Sequence, residues 1–391
     1  MKNRVVHIYI ALLCIYNLQG ILYTSGGIVS QVLLAIILIW SFYHFIVANY
    51  SFKLPKVMKV LSALVMIWTG YGIINLFSDR IISWIPSYFY LKNIYNSLLP
   101  IYAFYVFAKR GQLTERVLTG WFYVFVIIGI ANYFRAQQAV LEISWRDEVT
   151  NNAGYMILSM LPLLPILHRK PLVQYAILAV LMYFVLYGFK RGAIIVGVVS
   201  VLFFLFSNYR TNHLTKEGKK GRQFLRVLLT VVIVVAAVYA VKQMMATSDY
   251  FNERMERTLE GDSSGRDRLY SEAKALFFNQ TNPILFLFGY GADATLKYLG
   301  NYAHNDWYEI AIDNGLWMVV LYVIYWVVMM FYIISIRKTN PKDHLMIGLF
   351  FIIYFMKTLF SMSYNDVTFY AASALGYALA ITDHPAEETK P

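Results

Sequence analysis

The hydrocarbon core of a bilayer accepts only backbone whose N–H and C=O groups are paired within the segment itself, so a spanning helix needs about 20 mainly apolar residues in a row. This chain offers such runs repeatedly. They fall at roughly 5–23, 28–48, 57–77, 94–108, 117–134, 153–167, 171–188, 192–207, 224–243, 315–336, 344–362 and 366–381. Those at 94–108, 153–167 and 192–207 are short. Only 14% of the 391 residues are charged and 59% are hydrophobic, whereas a soluble domain carries about 25% charged residues. Tyr, Trp and Phe make up 17%, and such rings suit the interface between lipid and water. The expected fold class is an all-α polytopic membrane protein of about twelve transmembrane helices. The start, Met-Lys-Asn-Arg and then an apolar run, has the form of a signal peptide. No small-residue cleavage pattern follows, so it reads as an uncleaved first span.

The net charge of +12 on a soluble protein would point to nucleic acid. Here its placement accounts for it. With the N-terminus inside, the inner segments hold 20 of the 34 basic residues, and "TNHLTKEGKKGR" (211–222) is the densest cluster. That is the positive-inside pattern, and no nucleic-acid partner is needed. The one cysteine, Cys14, lies within an apolar run, which leaves no disulfide or thiolate metal site within a single chain.

Polar residues on the outer side concentrate in three places: 135–152, a short turn near 188–191, and the largest loop, 244–314. The chain therefore divides into helices 1–9 (1–243), an external loop subdomain (244–314) and helices 10–12 with a cytoplasmic tail (315–391). Within the loop, "DSSGRDRLYSEAKALFF" (262–278) reads as a helix. Ser264 and Asp267 have capping-box spacing, Leu269, Ala273 and Leu276 share a face, and Arg268 can pair with Glu272 at i, i+4. Arg266 sits in the first turn, where the helix dipole disfavours a cation but free N–H groups favour an anion. A phosphate bound between them would explain it, and so would a solvated surface arginine. "NPILFLFGYGADA" (282–294) follows, its Gly289 and Gly291 permitting a tight turn.

Next comes "NYAHNDWYEIAIDNGLW" (301–317). His304, Asn305, Asp306, Tyr308, Glu309 and Asp313 suit a short helix ending at Gly315 as a C-cap. Glu309 and Asp313 share a face, as a solvated pair would. His304 is the side chain best able to take a proton near neutral pH. No HExxH or second loop histidine accompanies it, so no metal site is expected. Further cations break the positive-inside pattern. Lys190 and Arg191 lie at the outer ends of spans seven and eight, Arg146 lies just before span six, and Lys357 lies toward the outer end of span eleven. Asp147 and Glu148 can neutralise Arg146, and snorkelling can bring Lys357 to water. Several arginines converging at a membrane surface suit a lipid-linked phosphate or diphosphate, because the guanidinium fork bonds two oxygens at once.

"SGRDRLYSEAKALFF…NPILFLFGYG…YAHNDWYEIAIDNGLW", with "KRGA" at 190–193, resembles the loop signature of the O-antigen ligase and O-antigen polymerase (Wzy) superfamily. Arg146 with Asn152 resembles that family's Arg…Pro-Asn segment, without its proline and its Gly-x-Phe. The resemblance is carried by about residues 262–336. It implies a GT-C-like fold and a metal-independent, cofactor-free, inverting glycosyltransferase of the bacterial inner membrane. Its site would face the periplasm and take glycans from undecaprenyl diphosphate. By the same resemblance Arg191 and Arg266 would hold the donor diphosphate, with Lys190 and Arg146 beside them. His304 would sit at the acceptor hydroxyl, with Asn305, Asp306 and Tyr308 around it. A polymerase passes the glycan to another lipid-linked repeat unit, with a chain-length regulator as a possible partner. A ligase passes it to lipid A–core. A lipid-linked oligosaccharide transporter is the reading from another class: "LPLLP" (161–165) is able to break span six, although most spans lack ionisable groups at mid-depth.

Overall fold

The computed structural model describes residues 3–77, 88–142, 150–214, 227–232, 235, 239, 242–243, 245–259 and 266–382. Among them every regular element is a helix, and the only extended pairing is an isolated bridge between Gln19 and Tyr23. The helices are α1 (Arg4–Asn17), α2 (Ile28–Ser51), α3 (Lys56–Leu76), α4 (Phe89–Lys109), α5 (Glu115–Leu141), α6 (Gly154–Leu158), α7 (Pro171–Tyr187), α8 (Arg191–Leu214), α9 (Asp249–Leu259), α10 (Arg266–Phe278), α11 (Pro283–Phe288), α12 (Ala294–Leu299), α13 (Asp306–Ile336), α14 (Pro341–Phe360) and α15 (Phe369–Thr382). A 3₁₀ segment, Leu161–Leu167, continues α6. It is not α-helical because Pro162 and Pro165 lack the N–H groups that an α-helix would use.

Among the described residues six helices are long and apolar enough to cross a membrane: α2, α3, α5, α8, α13 and α14. Four shorter apolar helices lie at Arg4–Asn17, Gly154–Leu167, Pro171–Tyr187 and Phe369–Thr382. Much of the run at 224–243 lies outside the described residues. Several helices outlast their apolar runs. α4 starts at Phe89 rather than 94, carrying Lys92 and Asn93 on helical turns before the apolar stretch. Polar side chains end a hydropathy window without ending a helix.

The centre of the bundle is the pair α4 and α15. Residues 97–108 of α4 and 369–380 of α15 are buried without interruption, as expected for helices surrounded by others. The small residues of "FYAASALGYALA" allow the close approach: a Cβ on Gly376 would lie 2.4 Å from the Ile101 carbonyl oxygen. Outer helices turn large apolar side chains outward, such as Ile28, Val32 and Ile39 on α2, Leu202 and Phe206 on α8, and Phe331 and Ile334 on α13. Ridges of this kind on a folded chain fit a lipid boundary.

The loop helices form a second, smaller core of Ala273, Phe277, Ala294, Ala311 and Ile312. It rests on the first two turns of α13, so the loop subdomain and the membrane bundle share one helix. At Gly315 that helix breaks, with φ 79° and ψ 179°, where the expected C-cap lies. The section beyond, 316–336, rises about 30 Å, one hydrocarbon thickness.

Replacing Gly376 with Ala forces a methyl against the Ile101 carbonyl. It should cost about 1–3 kcal/mol and lower the melting temperature in detergent. Gly120→Ala, where a Cβ meets nothing within 4 Å, should leave it unchanged or slightly raised.

Candidate functional site

Three carboxylates on successive turns of α13 organise the loop end of the molecule. Asp306, Glu309 and Asp313 lie on one face at i, i+3, i+7, and they are at most 1% exposed. Each binds backbone N–H groups of a different loop segment. Asp306 accepts from the Ser363 N–H (2.8 Å), the Tyr364 N–H (3.2 Å) and the Tyr322 hydroxyl (2.7 Å). Glu309 accepts from the Thr295 hydroxyl and from the Ala303 and His304 N–H groups. Asp313 accepts from the N–H groups of Asp293 (3.1 Å) and Thr295 (3.0 Å). A solvated face is the usual fate of such charges. This one is dry, and the cost of burial is offset because each carboxylate meets two or three donors.

The Gly-Tyr-Gly turn closes the other side. The Tyr290 N–H donates to the Ile312 carbonyl (2.8 Å) and the Gly291 N–H to the Asp313 carbonyl (2.9 Å), so the turn satisfies carbonyls that the break at Gly315 leaves open. The approach is close from both sides. A Cβ on Gly289 would lie 2.5 Å from the Asp313 oxygen, and one on Gly315 would lie 2.2 Å from the Leu287 oxygen. Both glycines have positive φ, 75° and 79°.

This scaffold sets His304 in an unusual place. Its φ is 52°, a left-handed conformation uncommon outside glycine. It is held there by the Glu309 bonds before it and the Asn305 cap after it. The Asn305 side chain accepts from the N–H groups of Trp307 (3.0 Å) and Tyr308 (3.4 Å), and the Trp307 indole N–H donates to the Thr358 hydroxyl of α14 at 3.0 Å.

His304 lines a cavity of about 650 Å³. Lys190, Arg266 and Lys357 supply cations to its wall, and Asn93, Asn96, Asn152, Asn365, Tyr155 and Tyr302 supply amides and hydroxyls. Arg266 opens α10, as expected, and one Nη1 donates to the Phe360 carbonyl at 3.0 Å. Lys357 is buried and paired with Asp366, whose side chain is 64% exposed. The Tyr155 hydroxyl is buried without a hydrogen-bond partner, and it needs Gly192, where a Cβ would come within 2.2 Å of it. Burial first, and then the nearby Arg266 and Lys190 charges, hold the His304 imidazole below its ordinary value. It is therefore neutral near pH 7 and able to accept a proton.

The expected site residues part company here. His304, Arg266 and Lys190 meet in one cavity, and Asn152 joins them. Arg191 begins α8 beside Lys190, outside the lining. Asn305, Asp306 and Tyr308 also lie outside it. Asn305 and Asp306 hold backbone, and the Tyr308 ring packs on Tyr270 with centroids 5.1 Å apart. Arg146 lies outside the described residues. Arg268 pairs with Glu272 at 3.4 Å, as its spacing predicts. Sequence reasoning underrated Lys357, whose charge inside an apolar run was the available signal. It missed Asn93 and Asn96, whose i, i+3 spacing at the head of α4 marks one polar face. Among the described residues no group of three or more His, Cys, Asp and Glu is arranged to hold a metal ion.

A large cavity with three cations on its wall, one neutral imidazole and many neutral hydrogen-bonding groups fits a ligand that is anionic at one end and rich in hydroxyls at the other. Lys190→Gln removes one charge facing His304, so the imidazole should titrate at higher pH than in the wild type. Histidine-labelled NMR of the full chain measures this directly, and an unchanged titration would contradict the arrangement. No family model matches this chain, and no curated protein sequence matches it.

Proposed function

We propose that this chain is a GT-C-like membrane glycosyltransferase with about twelve spans, and specifically a polymerase of bacterial surface polysaccharide. It acts at the outer face of the inner membrane. The observation that carries this reading is the meeting of Arg266, Lys190 and His304 in one polar cavity at the end of an apolar bundle. Resemblance of the loop motifs to O-antigen polymerases and ligases supports it.

In this reading the donor is a glycan on undecaprenyl diphosphate and the acceptor is a second lipid-linked repeat unit. A hydroxyl oxygen of the acceptor attacks the anomeric carbon of the donor's reducing-end sugar. The bond from that carbon to the diphosphate oxygen breaks, and its electron pair leaves with the diphosphate. The hydroxyl proton passes to His304, which is neutral and half-buried, as a general base must be. The leaving diphosphate gathers negative charge, and in this reading Arg266 and Lys190 stabilise it without reorganisation, with Lys357 held beside them by Asp366. Direct displacement inverts the anomeric configuration.

Deleting the gene and complementing it with wild type, Arg266→Ala or His304→Ala tests this reading, with surface polysaccharide and lipid-linked intermediates run on one gel. A polymerase predicts single repeat units on lipid A–core without a ladder in the deletion. It predicts restoration by wild type and loss of about 10²–10⁴ in polymer formation for His304→Ala. Full-length polymer stranded on undecaprenyl diphosphate over bare core would assign the ligase reaction instead. A normal ladder in the deletion would contradict both.

A further inference from the structure

A second cavity, of about 550 Å³, opens at the same end of the bundle as the first. It lies between the end of α1, the start of α2 and the start of α4. Its mouth is polar: Gln19, Ser25, Ser30 and Gln31, with Lys92 and the rings of Tyr16, Tyr88 and Tyr95. Its deeper wall is apolar, with Leu34, Ala35 and Leu38 following Ser30 and Gln31 down α2, and Leu91 opposite on α4. From the start of α2 to Leu38 the groove descends about 15 Å into the bundle's apolar zone. Ile28, Val29, Val32, Ile36 and Ile39 flank it with exposed side chains, so its side faces the surrounding lipid. The mouth is also fixed in place. The Ser30 hydroxyl donates to Gln19 Oε1 at 2.6 Å, and Arg135 of α5 donates to the Gln19 carbonyl.

The two cavities share walls. On α4, Phe89, Asn93 and Asn96 line the first, while Tyr88, Lys92 and Tyr95 line the second. The two sets are offset by one residue, about 100° around the helix axis, so the cavities lie on adjoining faces of the same turns. On α1, Asn17 serves the first and Tyr16 the second.

We propose that the second cavity seats the lipid-linked acceptor. A single polyprenyl chain would run along Leu34, Ala35, Leu38 and Leu91, and the phosphorylated, glycosylated head would lie among Lys92, the tyrosines and the glutamines. This inference rests on the polymerase reading, which requires two lipid-linked substrates within reach of each other. The charge on the two walls divides them. The donor's diphosphate is the leaving group and gathers charge in the transition state, and its cavity carries Arg266 and Lys190 beside the Lys357–Asp366 ion pair. The acceptor's diphosphate stays intact throughout, and one lysine meets its constant charge. Tyrosine rings beside amide side chains suit the alternating apolar faces and hydroxyl edges of sugars. From that seat the glycan passes around the head of α4 to bring its far hydroxyl to His304.

Native mass spectrometry of the full chain in detergent tests this with a polyprenyl-diphosphate-linked oligosaccharide as probe. The variants are Ala35→Trp, whose ring would fill the groove from an exposed position, and Lys92→Met, which removes the cation with little change in volume. Wild type should bind two copies. Each variant should keep one and bind the second at least about tenfold more weakly, with a melting temperature near wild type. Arg266→Ala should weaken the other copy. Two copies retained in both variants would overturn the proposal. So would displacement of the second copy by a modest excess of phosphatidylglycerol, which would make the groove a general lipid seat. Wild-type protein that polymerises while binding one copy would overturn this inference alone. Wild-type protein that binds no probe would overturn it together with the polymerase reading.

Discussion

Hydrogen bonds from loop backbone to three buried carboxyl groups hold the loop end of this molecule together. A carboxylate stripped of water costs several kcal/mol unless donors replace the solvent. Asp306, Glu309 and Asp313 recover part of that cost from the N–H groups of residues 293, 295, 303, 304, 363 and 364. Burial nevertheless raises all three carboxyls well above their ordinary range, and each such bond contributes about 0.5–1.5 kcal/mol net. Because the three acceptors sit on one rigid helix, the loops before and after it are referred to a common frame. His304, on one of those loops, and Asp366, on another, are placed relative to each other through this frame.

The break at Gly315 makes the frame possible. Above it, two turns of helix carry polar residues on a buried face. Below it, an apolar helix is long enough to cross about 30 Å of hydrocarbon. A continuous helix would have paired the Ile312 and Asp313 carbonyls internally and left the Gly-Tyr-Gly turn without partners. Gly289 lies against the backbone of 313–314 and Gly315 against that of 287–288, each too close for a Cβ, so the two segments dock backbone to backbone. That contact sets where the loop subdomain begins and which way the head of α13 points. The cavity beside it then receives cations from three separate elements: the turn before α8, the head of α10 and the outer end of α14.

Much of this was legible in the residue order. The apolar runs locate most of the helices, Gly315 ends the short helix, and the Arg268–Glu272 spacing becomes an ion pair. His304, Arg266 and Lys190, singled out by residue type and by side of the membrane, share a cavity. What stayed hidden depends on contacts between distant segments. Periodicity shows that Glu309 and Asp313 share a face, but it cannot show that backbone of 293–303 will cover that face. Asp306 and Asn305 sit beside His304 in sequence, and their side chains serve backbone instead of the cavity. Lys190 and Arg191 are adjacent as well, yet only the first lines the cavity: Lys190 sits in the turn before α8 and Arg191 is the first residue of the helix. Lys357 gains its position from Asp366, nine residues on, through a turn that no local spacing rule describes.

The central claim is that one chain joins two lipid-linked glycans at this cavity with no activated nucleotide. Its most direct measurement uses purified protein in liposomes with a single defined repeat unit on undecaprenyl diphosphate and no nucleotide sugar. Products are read by mass spectrometry and by the anomeric configuration of the new linkage. The account predicts a ladder of lipid-linked oligomers, one released undecaprenyl diphosphate per bond formed, and inversion at the anomeric carbon. Intact repeat unit with no oligomer, or a new linkage with retained configuration, would contradict it.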